Sequence, residues 1–184
     1  FDIIIIEAPA MDKLNKSREW IVLADKVVAI FAAGSTITQL SDIQSLCLGL
    51  EHSFMGDLVI IVECPNGQNQ ILHQQGGGGA YLGEPLDDGT PVDCSDPSTQ
   101  GIGYTYCFTP SATQTWVDAA SGGTSLPAGD YASVQPLTGL LGCPLNGTWT
   151  VLFTDNWSAD DGTLFSFSVN VNPSLYEDID EFTI

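Results

Sequence analysis

The chain is expected to be all-β, a jelly-roll-like β-sandwich of mainly antiparallel strands, on three observations. Apolar residues alternate with polar ones over short runs rich in β-branched and aromatic types. Turns dense in Gly, Pro, Asn and Asp separate these runs. No long stretch carries a clear helical period.

The elements read as follows. Phe1-Asp2-Ile3-Ile4-Ile5-Ile6 has strong β character and stops at Glu7-Ala8-Pro9. Leu14, Ile21, Ala24, Val28 and Phe31 fall at helical spacing, yet Ile21–Leu23 and Val27–Phe31 suit strands, and the β character elsewhere favours strands. From Ile43 the pattern clears: Leu46, Leu48 and Leu50 alternate with Cys47, Gly49 and Glu51, a half-buried strand that enters a tight turn at Met55-Gly56-Asp57. Leu58, Ile60 and Val62 alternate with Val59, Ile61 and Glu63 on the return, before a second turn at Pro65-Asn66-Gly67.

Gln70–His73 follows, then four glycines, Gly76 to Gly79, that form a flexible or closely packed turn. No Gly-Lys-Ser/Thr comes after them, so this is no phosphate loop. Glu84 to Gly103 is loop-like, Tyr104–Phe108 a short strand, Thr113–Thr124 a connector, and Gly129–Val134 leads into an exposed strand. Near the end, Trp149, Val151 and Phe153 alternate, as do Phe165, Phe167, Val169 and Val171. The implied organisation is a strand-rich segment 1–35 (part of the sandwich or a donated strand), a sandwich over 36–173, and an acidic tail or linker over 174–184.

Charge narrows the partners. All four basic residues, Lys13, Lys16, Arg18 and Lys26, precede Val27, and eighteen carboxylates follow it, for a net charge of −19 over 184 residues. Such a surface repels phosphate backbones and anionic lipid, so no nucleic acid and no membrane insertion are expected. No apolar run approaches the ~20 residues of a membrane-spanning helix. The carboxylates cannot be neutralised from within the chain, so cations come from solvent, as a diffuse atmosphere or as bound metal.

The five cysteines, Cys47, Cys64, Cys94, Cys107 and Cys143, show no Cys-x-x-Cys pair, which argues against zinc and for disulfides in an oxidising compartment with one thiol left over. Cys94 and Cys107 bracket a Gly/Ser/Pro-rich loop and are expected to pair; a second bridge joins two of Cys47, Cys64 and Cys143. The chain opens with Phe1 and shows no signal-peptide pattern, as a mature or excerpted chain would.

His52 and His73 are the only histidines, and neither has a Gly-x-Ser-x-Gly elbow or a recognisable cysteine partner. No enzyme activity is expected, and His52 reads as a hydrogen-bonding residue under the turn. Asp155, Asp160 and Asp161 place three carboxylates within seven residues, without the Asp-x-Asp-x-Asp-Gly order of an EF-hand. Bringing them together favours a bound cation, Ca2+, with Asp57 and Glu84 as further metal ligands. Tyr81, Tyr104, Tyr106, Trp116, Tyr131 and Trp157 could form a sugar-stacking face, and Asn15, Asn146 and Asn156 each begin a glycosylation sequon.

Two motifs carry a family resemblance. The first is His52-Ser53-Phe54-Met55-Gly56-Asp57-Leu58 with Pro65-x-Gly67; the second is Gly147-x-Trp149, Asp155, Asp160-Asp161-Gly162 and Leu164. Together, over about residues 43–172, they resemble the P domain of proprotein convertases, closest to the free-standing P-domain modules of secreted and cell-surface proteins of the Bacteroidetes. The final-strand tryptophan of that pattern is Phe167 here. The resemblance implies a non-catalytic calcium-binding module with a structural or adhesive role, secreted through the type IX route within larger surface proteins. It also implies an alternative role as an accessory domain stabilising a subtilisin-like protease. The N-terminal strand suggests another, a filament subunit assembled by strand addition. The partners expected are other domains of a surface protein, further copies of this chain, or a glycan.

Overall fold

A computed structural model describes residues 35–86, 96–157 and 160–175. The expectations for residues 1–34 and 176–184, and for Cys94, concern positions outside these. The chain is mostly strand. In order it runs β1 (Ile43–His52), β2 (Leu58–Glu63), β3 (Asn69–His73), β4 (Tyr81–Leu82), β5 (Tyr104–Phe108), a one-turn helix α1 (Trp116–Ala119), β6 (Ser125–Leu126), β7 (Gly129–Tyr131), β8 (Thr150–Asp155) and β9 (Gly162–Val171).

Two sheets result. In the larger, β1 pairs β9 along one edge and β5 and β4 along the other, with β7 and β6 added in parallel outside. In the smaller, β2 lies between β3 and β8, all antiparallel. Leu46, Leu48 and Leu50 of β1 and Leu58, Ile60 and Val62 of β2 belong to one shared core. The alternation of β2 is as expected, buried at every second residue. That of β1 is not: Gly49 and Glu51 are buried too, Gly49 against Ser166 of β9 and Glu51 against Gly83 just after β4. Gly49 lies directly under Ser166, whose hydroxyl a Cβ there would meet.

The alternation of β9 also breaks. Its register against β1 shifts between Gly49 and Leu50, leaving Phe165 without a partner in the ladder and 46 % exposed, whereas Phe167 packs on the core. A bulge of this kind turns one side chain away from the face its neighbours share. The connector before β6 contains α1, whose Thr115 and Asp118 cap each other reciprocally. It drives Trp116 into the core against Tyr106, Phe108 and His73. β7 is exposed at Gly129 and Asp130, as expected, and buried only at its last residue, Tyr131. The glycine run is closely packed: a Cβ on Gly77, at φ +87°, would collide with the Met55 side chain.

The disulfides differ from the loop-bracketing expectation. Cys107 bonds Cys47, its directly facing partner on β1, and not Cys94. The second bridge, Cys64–Cys143, ties the end of β2 to the segment before β8. Cys107 is placed by strand pairing across 60 residues, which outweighs proximity along the chain. Two disulfides fit an oxidising environment. Among the described residues no helix is long and apolar enough to cross a membrane.

Two predictions follow from this packing. Replacing both Cys64 and Cys143 by Ser should lower unfolding free energy by roughly 2–5 kcal/mol in urea titrations. The second concerns His73, 1 % exposed, whose Nε2 donates to the Met55 carbonyl at 3.1 Å. Burial pushes its imidazole from 6.5 down to about 4. The unfolded ring takes up its proton first as pH falls, so stability is full above pH 6.5 and declines towards pH 4, by about 3 kcal/mol from this group. In His73→Gln that part of the slope between pH 6.5 and 4 should vanish.

Candidate functional site

The chain changes sheet twice at the same end of the sandwich. After His52 it leaves β1 for β2, and after Asp155 it leaves β8 for β9. The ladders flanking these crossovers end on the residues of interest: His52 faces Gly162 across β1/β9, and Leu58 faces Asp155 across β2/β8. Backbone and side-chain bonds lace the crossovers together. Ser53 N–H donates to the Asp161 carbonyl at 3.0 Å, and Asp161 N–H donates to Ser53 Oγ at 3.1 Å. The Asn156 amide donates to the Asp57 carbonyl at 2.7 Å.

Here the side chains of His52, Asp57 and Asp155 meet, each offering a donor atom within 4.8 Å of the others. Asp57 is placed by the 3-10 turn Met55–Asp57, itself seated on the packed glycines: a Cβ on Gly56 would stand 2.7 Å from the Gly78 carbonyl. His52 is turned by the Phe54 N–H, which donates to its Nδ1 at 3.1 Å. Its Nε2 faces Asp155 Oδ2 at 3.6 Å. The other Asp155 oxygen accepts the Trp157 N–H at 3.0 Å. Asp160 lies beside them, its Oδ1 accepting from Ser53 Oγ at 3.4 Å.

Asp57 is the unusual member. It is 2 % exposed, and neither carboxylate oxygen has a hydrogen-bond partner. Burial, and then the charge of Asp155, push its carboxyl above the usual range, with His52 opposing. Asp42 is equally buried but is answered locally, its Oδ2 accepting from both N–H and Oγ of Thr38 and from Gln39 N–H at 2.8–3.0 Å. Burial alone would raise the Asp42 carboxyl; these bonds hold it below the ordinary value. Asp118 is likewise satisfied by Thr115. An ionised carboxylate left buried without partners is costly, so Asp57 is the position where an external positive charge gains most.

No protein-family model, curated protein or solved structure matches the chain. The site therefore rests on its own geometry. Of the five residues read as metal ligands, the structure brings Asp57 and Asp155 together and sets Asp160 next to them. Asp161 lies in the same crossover, with its backbone joined to Ser53. Glu84 is elsewhere: it pairs with Ile102 through an isolated bridge, and its carboxylate accepts from the Tyr104 hydroxyl at 2.7 Å. Sequence reasoning missed His52 and Asn156 as members of the cluster. The spacing His52-x4-Asp57 around a crossover was the available signal for the first.

The aromatic set does not form one face. Tyr106, Trp116 and Tyr131 are buried in the core, whereas Trp157 is 64 % exposed and stacks in parallel on Phe54 at 6.5 Å beside the carboxylates. The Asn156 amide is engaged with Asp57, which leaves this sequon nitrogen in the site.

Substituting Asp57→Asn removes the unpartnered charge. In chelator, this variant should unfold at a higher temperature than the parent, with a gain of about 1 kcal/mol. An unchanged or lower midpoint in chelator would show that the carboxylate is already satisfied.

Proposed function

We propose that this chain is a non-catalytic β-sandwich module that binds calcium at the crossover corner and serves a structural or adhesive role in a secreted or cell-surface protein. The observation that carries the reading is Asp57: a buried carboxylate with two unpartnered oxygens, within reach of Asp155. Calcium takes six to eight oxygen ligands, carboxylates and backbone carbonyls of loops among them. Asp155 and Asp160 supply further carboxylate oxygens.

An ion held there would join the two sheets, because its ligands come from the ends of β2 and β8 in one sheet and from the entry to β9 in the other. The corner thus acts as a clamp opposite the Cys64–Cys143 bridge. The P-domain resemblance of the motifs around Asp57 and Asp155 supports the same reading. It leaves a companion protease or a larger surface protein as the host. The filament reading rests on residues 1–8, outside the described residues; β9 and β8 each have one strand partner among the described residues, so an added strand has an edge to join.

Thermal unfolding at fixed ionic strength tests the proposal. Calcium at 100 times its Kd should stabilise the parent by about 2.7 kcal/mol relative to chelator. Asp57→Asn and Asp155→Asn should each abolish that shift. A shift no larger than that given by a monovalent salt at equal ionic strength would overturn it.

A further inference from the structure

We propose, resting on the cation-site reading above, that His52 positions Asp155 without ligating the ion, so that the protein ligands are all oxygen and the site accepts a hard divalent cation in preference to zinc. A mixed imidazole–carboxylate set at this spacing would ordinarily suit zinc or another transition metal. The hydrogen bonding of the ring argues otherwise. Its Nδ1 accepts the Phe54 N–H at 3.1 Å, and a ring nitrogen that accepts carries no proton. The neutral ring then holds its proton on Nε2, the atom that faces Asp155 Oδ2 at 3.6 Å.

For Nε2 to ligate a metal it must lose that proton, and the neutral ring would carry one on Nδ1 instead. There it would point at the Phe54 N–H, donor against donor, and the turn that presents Asp57 would lose a bond. Reorienting the ring is obstructed as well. His52 is 6 % exposed, and its Cδ2 edge lies against Gly162, where a Cβ would approach to 2.6 Å. The glycine opposite His52 in the β1/β9 ladder thereby makes room for the ring in this one orientation.

With the proton on Nε2, His52 turns its N–H dipole towards Asp155 Oδ2 at 3.6 Å, an electrostatic contact longer than a hydrogen bond, and so acts on that carboxylate as an outer partner of a ligand. Substituting such partners costs metal sites roughly 10–100-fold in affinity. The carboxylates of Asp57, Asp155 and Asp160 remain as inner ligands, a set matched to calcium.

The test combines histidine 15N NMR on the whole chain with separate calcium and zinc titrations of the parent, His52→Gln and His52→Ala. The NMR spectrum should show the Nε2–H tautomer for His52. Calcium affinity should stay near parental in His52→Gln, whose amide can still donate to Asp155, and fall about 10–100-fold in His52→Ala. Zinc should bind the parent more weakly than calcium does. An Nδ1–H tautomer, or zinc binding tighter than calcium that His52→Gln abolishes, would overturn the inference while leaving a metal site in place. Binding of neither ion would remove the cation-site reading and this inference together. The NMR measurement needs no substitution, so it decides the tautomer even where a variant fails to fold.

Discussion

Beyond Lys26 every carboxylate in this protein has to be accommodated without a cationic side chain from its own neighbourhood in sequence. The fold meets that constraint in two ways. Where a carboxylate is buried or caps a turn, nearby N–H and hydroxyl groups converge on it, as Thr38 and Gln39 do on Asp42 and Thr115 does on Asp118. Each solution is local, made within four residues, and stabilises a helical turn at the same time. Asp57 has no such answer. Its turn points the carboxylate into the corner where the second crossover brings Asp155 and Asp160, whose charges act on it together with burial and against His52.

The two sheets depend on that corner in a geometric sense. β1 and β2 are joined across it, and so are β8 and β9; the bonds from Ser53 to Asp161 and from Asn156 to Asp57 stitch the two connections to each other. At the far end of β2 the Cys64–Cys143 bridge ties that strand covalently to the segment leading into β8, within the smaller sheet. One end is held by a bond that persists in an oxidising environment, and the other by hydrogen bonds between the two crossovers.

Much of this was readable in the residues. The period-two pattern of Leu58, Ile60 and Val62 states which face of β2 is inside, since alternation in a half-buried strand has only one solution. Asp155, Asp160 and Asp161 are legible as a group, with Asp57 and Glu84 as further ligands, because carboxylates without cations invite an ion; of these the structure brings Asp57 and Asp155 together. Other features depend on pairings that composition cannot reveal. Cys107 meets Cys47 only because β5 lies beside β1, and the loop spacing from Cys94 pointed the other way. Glu84 shares the chemistry of a ligand, but its strand end lies across the sheet and Tyr104 occupies it. Phe165 obeyed the alternation on paper; the register shift beside Gly49 turned it outward. The sequence marks His52 as the hydrogen-bonding residue under the turn, which it is, and the same role aims it at Asp155.

The pairing of β1 with β9, and of β2 with β8, also has a consequence for how the chain reaches this state. Partners such as Ser53 and Asp161 are 108 residues apart, so one edge of β1 and one edge of β2 stay open until the C-terminal third has arrived. Contacts of that range slow folding, because a long loop must close before any of them can form. During synthesis the apolar runs of β1 and β2 emerge first and wait, and an unpaired apolar strand is the element most prone to join a stranger. Completion is therefore set by the last strand to appear, and a chain cut short before β9 would keep the central strand of its larger sheet half bare.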